Sequence, residues 1–231
     1  MLRPVDKEQR QRLCEITGTK SIVPLDEYLG IARLPFKLSI RAMLEVAYWA
    51  QNQCSYERAE EILCNKMGIE TNNGTVRLVA NYIGGLVFQE DCLRAKRAMD
   101  SLETGGLVFP NNKIGVLYIQ TDGAALNTRT KDENGSTWRE NKLGEVFSSD
   151  HIHYWTDRHG ERQHRIIKKE YVSYIGSVDE FKKHLFAVAL RNGYGQYKET
   201  VVISDGATWI RNMIHELYPD AQQILDFYHL S

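Results

Sequence analysis

Two apolar runs in this chain each lead into Asp-Gly. Val116-Leu117-Tyr118-Ile119-Gln120-Thr121 delivers Asp122-Gly123, and Thr200-Val201-Val202-Ile203-Ser204 delivers Asp205-Gly206. A strand that ends in a carboxylate holds that charge on a rigid support, and the glycine after it allows a sharp turn and the close approach of a ligand. Two such carboxylates in one sheet repel each other, and a divalent cation between them relieves the repulsion. Asp-Gly also marks ordinary hairpin turns, so the pair alone does not decide between a metal site and two surface turns. A third signal lies near the end of the chain, where Leu225-Asp226-Phe227-Tyr228-His229-Leu230 places an Asp and a His three residues apart. Such a pair at a strand end can orient one another or a phosphate.

The elements that must carry these residues are legible in two parts. Over residues 37–104 the pattern is helical, with Ser39 capping a segment in which Ile40, Met43-Leu44 and Ala47-Tyr48 recur at helical spacing. Ser55 caps a second helix carrying Ala59, Ile62 and Leu63, and Met67-Gly68-Ile69 breaks it. Thr71-Asn72-Asn73 opens a third helix with Val76, Val79 and Ile83, and a more charged fourth helix is predicted over about 88–102. A helix, a Gly-containing turn and a helix opening with Asn-Asn-Gly-Thr-Val-Arg is the layout of a helix-turn-helix. In that layout Asn72, Asn73, Thr75 and Arg77 are the residues positioned to meet DNA, although a plain helical bundle uses the same residues to cap and solvate a helix.

A Gly-, Pro- and Asn-rich stretch at 104–112 marks the expected domain boundary, leaving residues 1–36 as an N-terminal segment. Beyond it the chain is α/β. Strands are predicted at 114–121 (buried on both faces), 138–148 and 165–175, the last two joined by a polar link around His159-Gly160. Ser177-Val-Asp-Glu180 is a capping box opening a helix through Leu190. A strand at 200–204, a helix from about Ala207 to Leu217 and a strand from Gln222 complete the order β-β-β-α-β-α-β. That is the order of an RNase H-like mixed sheet, in which the first and fourth strands lie side by side and bring Asp122 to Asp205.

Composition narrows the function classes. The chain has 231 residues, 42% of them apolar, with a net charge of −1. No basic tail draws in nucleic acid at long range, so any DNA contact must come from local patches. Four cysteines without Cys-x-x-Cys spacing exclude a zinc finger, and no apolar run has the length of a membrane span or signal peptide. The expected compartment is the cytoplasm. His151, His153, His159 and His164 cluster without a carboxylate or thiolate at fixed spacing and read as solvated side chains. Arg139 and Lys142 are candidate phosphate contacts, with an ordinary amphipathic strand the equal alternative, and Trp209 is expected to pack beneath Asp205.

At these motifs the chain resembles bacterial insertion-sequence transposases with an RNase H-like DDE core, in the Mutator-like branch marked by a Cys/Asp-x-x-His signature. The matching residues are Gln120-Thr-Asp122-Gly123, Trp138-Arg-Glu-Asn-Lys-Leu-Gly144-Glu-Val-Phe147, Ser204-Asp205-Gly206-Ala-Thr-Trp209-Ile210 and Asp226-Phe-Tyr-His229-Leu230. They span most of residues 113–231. The resemblance implies that Asp122 and Asp205 are the first two catalytic carboxylates and that Asp226 with His229 is the signature pair. It implies two Mg²⁺ or Mn²⁺ ions, DNA partners in the form of element terminal repeats and target DNA, and a homo-oligomer that pairs two DNA ends. It also implies a third carboxylate on a helix after the last strand. No residue up to Ser231 maps onto it, Glu140 and Glu216 sitting in the wrong elements. The expectation is therefore a C-terminally incomplete core, the N-terminal portion of a transposase, inactive in cleavage alone. Two alternatives stand beside it: a non-catalytic DNA-binding remnant, and another RNase H-like nuclease that completes its site differently.

Overall fold

The structure is a computed structural model that describes residues 34–226, together with Tyr28, Gly30 and Ile31. The expected N-terminal segment therefore lies mostly outside the described residues, as does His229. The chain is mixed α/β and divides into two compact units, Met1–Gln89 and Glu90–Ser231.

The first unit is helical. Helix α1 (Ile40–Asn52) starts where Ser39 Oγ accepts the Ala42 N–H at 3.2 Å, and α2 (Tyr56–Met67) starts where Ser55 Oγ accepts the Arg58 N–H. These caps satisfy N–H groups that the first helical turn leaves without partners. Gly68 ends α2 in the left-handed conformation, at φ 65°, while the Ile69 N–H returns to the Leu63 carbonyl. Helix α3 (Asn73–Glu103) follows. Met43, Val46, Ala59, Leu63, Val76 and Val79 form the buried core of this unit.

Two helices were expected over 71–102, and the structure has one continuous helix there. Its apolar residues serve different cores along its length. Val76 and Val79 pack with the helical unit, whereas Ala98, Met99 and Leu102 pack against the sheet. No single stripe spans α3, so periodicity divides it where the hydrogen-bond ladder does not. The same packing places the division between the units inside α3 rather than at the loop 104–112.

The second unit is built on a five-stranded sheet in the order β5-β2-β1-β6-β7. Its strands are β1 (Lys113–Asn127), β2 (Trp138–Ser148), β5 (Glu170–Ile175), β6 (Tyr197–Ser204) and β7 (Gln222–Leu225). Strand β2 is antiparallel to both β1 and β5, while β6 runs parallel to β1 and to β7. Helix α4 (Val178–Arg191) connects β5 to β6, and α5 (Thr208–Leu217) connects β6 to β7. Ser177 caps α4 by accepting the Glu180 N–H at 3.2 Å. Leu117, Ile119, Val146, Phe181, Leu185, Phe186, Ile210 and Ile214 close the core between the sheet and these helices. Each such side chain contributes about 1.5–3 kcal/mol by leaving water.

Strand β1 was expected to be buried on both faces. It alternates instead. Leu117, Ile119 and Thr121 are buried on the helix side, whereas Tyr118 is half-buried and Gln120 exposed on the other. The expected strand at 165–175 is also two elements. Its first residues belong to a separate two-stranded ribbon, β3 (Ile152–Thr156) with β4 (Arg162–Ile166), and β5 begins only at Glu170. No helix among the described residues is long and apolar enough to cross a membrane.

Candidate functional site

Register, more than sequence spacing, assembles the acidic residues. Thr121 of β1 pairs with Ser204 of β6, and Ser204 pairs with Leu225 of β7. The next residue of each strand is an aspartate, so Asp122, Asp205 and Asp226 stand level across three neighbouring parallel strands. Adjacent strands lie about 4.8 Å apart, which sets the scale on which their backbones are spaced. The Asp226 N–H donates to the Ser204 carbonyl at 2.8 Å, extending the ladder one step past the end of β7.

The two Asp-Gly dipeptides do different things. Asp205-Gly206 is the expected turn. Asp205 Oδ1 accepts the Ala207 N–H at 2.9 Å, Gly206 adopts φ 81°, and α5 follows. Asp122-Gly123 is not a turn. Strand β1 runs through it to Asn127, held by pairing of Asp122 with Leu143 and of Gly123 with Lys142 on β2. A hairpin partner eleven residues long overrides the local turn preference. A Cβ at Gly123 would lie 2.7 Å from Glu140 Oε1, the movable end of an exposed side chain, so Glu140 would have to shift to admit it. Asp122 Oδ1 accepts the Gly123 N–H at 2.7 Å. Each of the two carboxylates thus has one oxygen anchored by backbone, and both are half-exposed.

Beside this edge lies an ion pair between two residues that stand two apart on β2 and so share one face of the strand. Lys142 is 5% exposed and donates to Glu140 Oε2 at 2.8 Å and to the Gly176 carbonyl at 2.9 Å. Its ammonium also lies 5.7 Å from the Trp209 ring centre. Of the two readings of Lys142, phosphate contact or ordinary strand residue, its ammonium's partners within the sheet unit favour the second. A signal for this was present: Lys142 shares strand parity with Gly144 and Val146, the helix-facing residues of β2. Arg139 is half-buried and its Nε meets no hydrogen-bonding partner. Trp209 packs edge-on against Phe181, at 5.9 Å between ring centres, and is partly buried against the sheet core.

The helical candidates lie in the other unit. Asn72 Oδ1 accepts the Thr75 N–H at 2.9 Å, so Asn72 is the cap of α3. Asn73 and Arg77 are exposed on its first turns and Thr75 is half-buried.

Carboxylate oxygens are hard ligands suited to Mg²⁺ or Mn²⁺, and Mg²⁺ is commonly held by one or two carboxylates with water and substrate phosphate completing its shell. Asp122 and Asp205 fit that donor set. Among the described residues, no group of three or more His, Cys, Asp or Glu side chains converges into a metal cage made by protein alone. No protein-family model matches the chain, and no curated protein matches it.

Proposed function

We propose that the sheet unit is the RNase H-like core of an insertion-sequence DNA transposase of the Mutator-like branch. The observation that carries this reading is the level placement of Asp122 and Asp205 on adjacent parallel strands. The strand order β5-β2-β1-β6-β7, with β2 alone reversed between β1 and β5, supports it further.

In this reading Asp122 and Asp205 hold divalent metal, which when bound supplies a Lewis acid for in-line attack on a DNA phosphodiester. The protein's part is positional. The Gly123 and Ala207 N–H groups fix one oxygen of each carboxylate, so the remaining oxygens are presented with little freedom to lose on binding. Asp226, beside Asp205, adds negative charge at the same edge and retains cations there. Asn73 and Arg77 on α3 would dock the terminal repeats, and a homo-oligomer would pair two such ends.

Mn²⁺ titration followed by electron paramagnetic resonance tests the site without requiring turnover. Asp122→Asn and Asp205→Asn should each weaken Mn²⁺ binding by about tenfold or more, since each removes a charged ligand. Equal Mn²⁺ affinity in the wild type and the double variant would sink the proposal. A second reading, DNA binding without catalysis, draws on the lack of a third converging ligand among the described residues. Duplex binding without metal-dependent nicking would favour it.

A further inference from the structure

The ribbon formed by β3 and β4 lies outside the sheet and has no part in the carboxylate site. Its register pairs Ile152 with Ile166, His153 with Arg165, Tyr154 with His164, Trp155 with Gln163 and Thr156 with Arg162. Alternation puts Tyr154, His164 and Arg162 on one face and His153, Trp155 and Arg165 on the other. Both faces are open: Tyr154 is 49% and Trp155 43% exposed, and His153, Arg162, His164 and Arg165 are exposed as well. An isolated two-stranded hairpin is marginal in water at best. This one leaves two large aromatic rings in solvent instead of burying them in a core.

The charge that the ribbon displays is positive. Over residues 152–166, Arg158, Arg162 and Arg165 stand against Asp157 and Glu161. Asp157 is consumed in folding the tip, where its Oδ1 accepts the N–H groups of Glu161 at 3.0 Å and His159 at 2.9 Å, and its Oδ2 accepts Gln163 Nε2 at 3.1 Å. The backbone donors hold its carboxyl below the usual carboxylate range. The ribbon therefore ties the Asp157 carboxylate into its tip, while Arg158, Arg162, Arg165 and the Glu161 side chain are exposed, on a chain whose net charge is −1. Its rings are held in advance. The Arg162 guanidinium lies 4.5 Å from the Tyr154 ring centre, His153 stacks on Trp155 at 5.9 Å, and Tyr154 meets His164 at 6.0 Å. Side chains already ordered lose less entropy when they bind.

We propose that the β3–β4 ribbon is a duplex-DNA-binding element that enters the major groove and sets Arg158, Arg162 and Arg165 against phosphates and base edges. The B-form major groove is about 12 Å wide and admits a two-stranded ribbon. The deep, narrow groove of A-form RNA does not. The choice of DNA over RNA rests on the function proposed above, whereas the polyanion assignment rests on the ribbon alone.

The test uses the full chain and a labelled DNA duplex in EDTA, so that metal binding and cleavage do not enter. Arg158→Gln/Arg162→Gln/Arg165→Gln should weaken binding at least tenfold. It should also flatten the dependence of log K on log salt by about 0.9 for each phosphate that is no longer neutralised, or about 2–3 in all. Hydrogen exchange on the wild type gives a second reading, with added duplex protecting the β3 and β4 amides. Unchanged affinity and slope in the triple variant would overturn the proposal. So would protection confined to other segments, or equal binding of an A-form RNA duplex. A chain that binds duplex through the ribbon yet shows no Mn²⁺ site would refute the catalytic reading and leave the ribbon standing.

Discussion

His184 sits on α4 at 7% exposure, with its ring stacked on Tyr174 at 5.4 Å between centres. Burial pushes its pKa below the ordinary 6.5, and the carboxylates of Asp91 and Glu180 oppose that shift while Lys183 reinforces it. In the unfolded chain the imidazole takes up a proton near its ordinary value, whereas the folded chain resists until the pH is lower. Stability from this group is therefore complete above about pH 6.5 and is lost as the pH falls toward the depressed folded value. His184→Phe keeps a ring against Tyr174 and removes the proton. The drop in melting temperature between pH 7.5 and 5.5 should be smaller in the variant, and an unchanged drop would assign the acid sensitivity to other groups. The residues of the carboxylate site show what a single position can and cannot reveal. Asp122 and Asp205 stand out in the sequence because each follows an apolar run. Their being level does not, because register depends on which strands pair. The burial of Lys142 takes one further step to read, since its parity with Val146 marks the helix-facing side of β2.

Among the elements, the junction of β2 with α4 is the tightest to alter. A Cβ on Gly144 would lie 2.6 Å from Leu185 Cδ1 and 3.5 Å from Phe181 Cζ, two side chains with no exposure. Gly144→Ala should therefore cost about 1–3 kcal/mol through overpacking, measured by urea unfolding. A cost below about 0.5 kcal/mol would mean that α4 can shift away from the sheet at little expense. How legible each element was depends on how local its cause is. Helices α1, α2 and α4 begin at Ser39, Ser55 and Ser177 because capping needs only three or four consecutive residues. The extension of β1 past Asp122 was not legible, because its partner Trp138–Leu143 is brought in by the chain reversal between them. The split of 165–175 was hidden for a similar reason. Residues 167–169 look like strand, yet the Ile167 N–H closes the base of the ribbon on the His151 carbonyl and Lys169 reaches Glu145 on β2 at 3.1 Å.

At the scale of the whole molecule, the buried clusters among the described residues share no core residue. Met43, Val46, Leu63 and Val76 belong to one cluster, and Leu117, Phe186 and Ile214 to the other. Among the described residues the helical cluster is the smaller, and small cores bury a smaller fraction of their chain and open more readily. Leu63 is fully buried within it. Leu63→Ala should cost the helical unit about 2–5 kcal/mol, accelerating amide exchange in α1, α2 and the first turns of α3 by a factor of roughly 30 or more at equilibrium. Exchange in β1 and β6 should hardly change, because the loss does not touch Leu117 or Val202. Helix α3 is the continuous element through which opening can spread, and Ala98, Met99 and Leu102 anchor its last turns in the sheet core. The acceleration should therefore fade along α3 toward Glu103. Uniform acceleration from α1 to β6 would instead mean that the two units unfold as one cooperative body, with α3 rigid enough to transmit the damage.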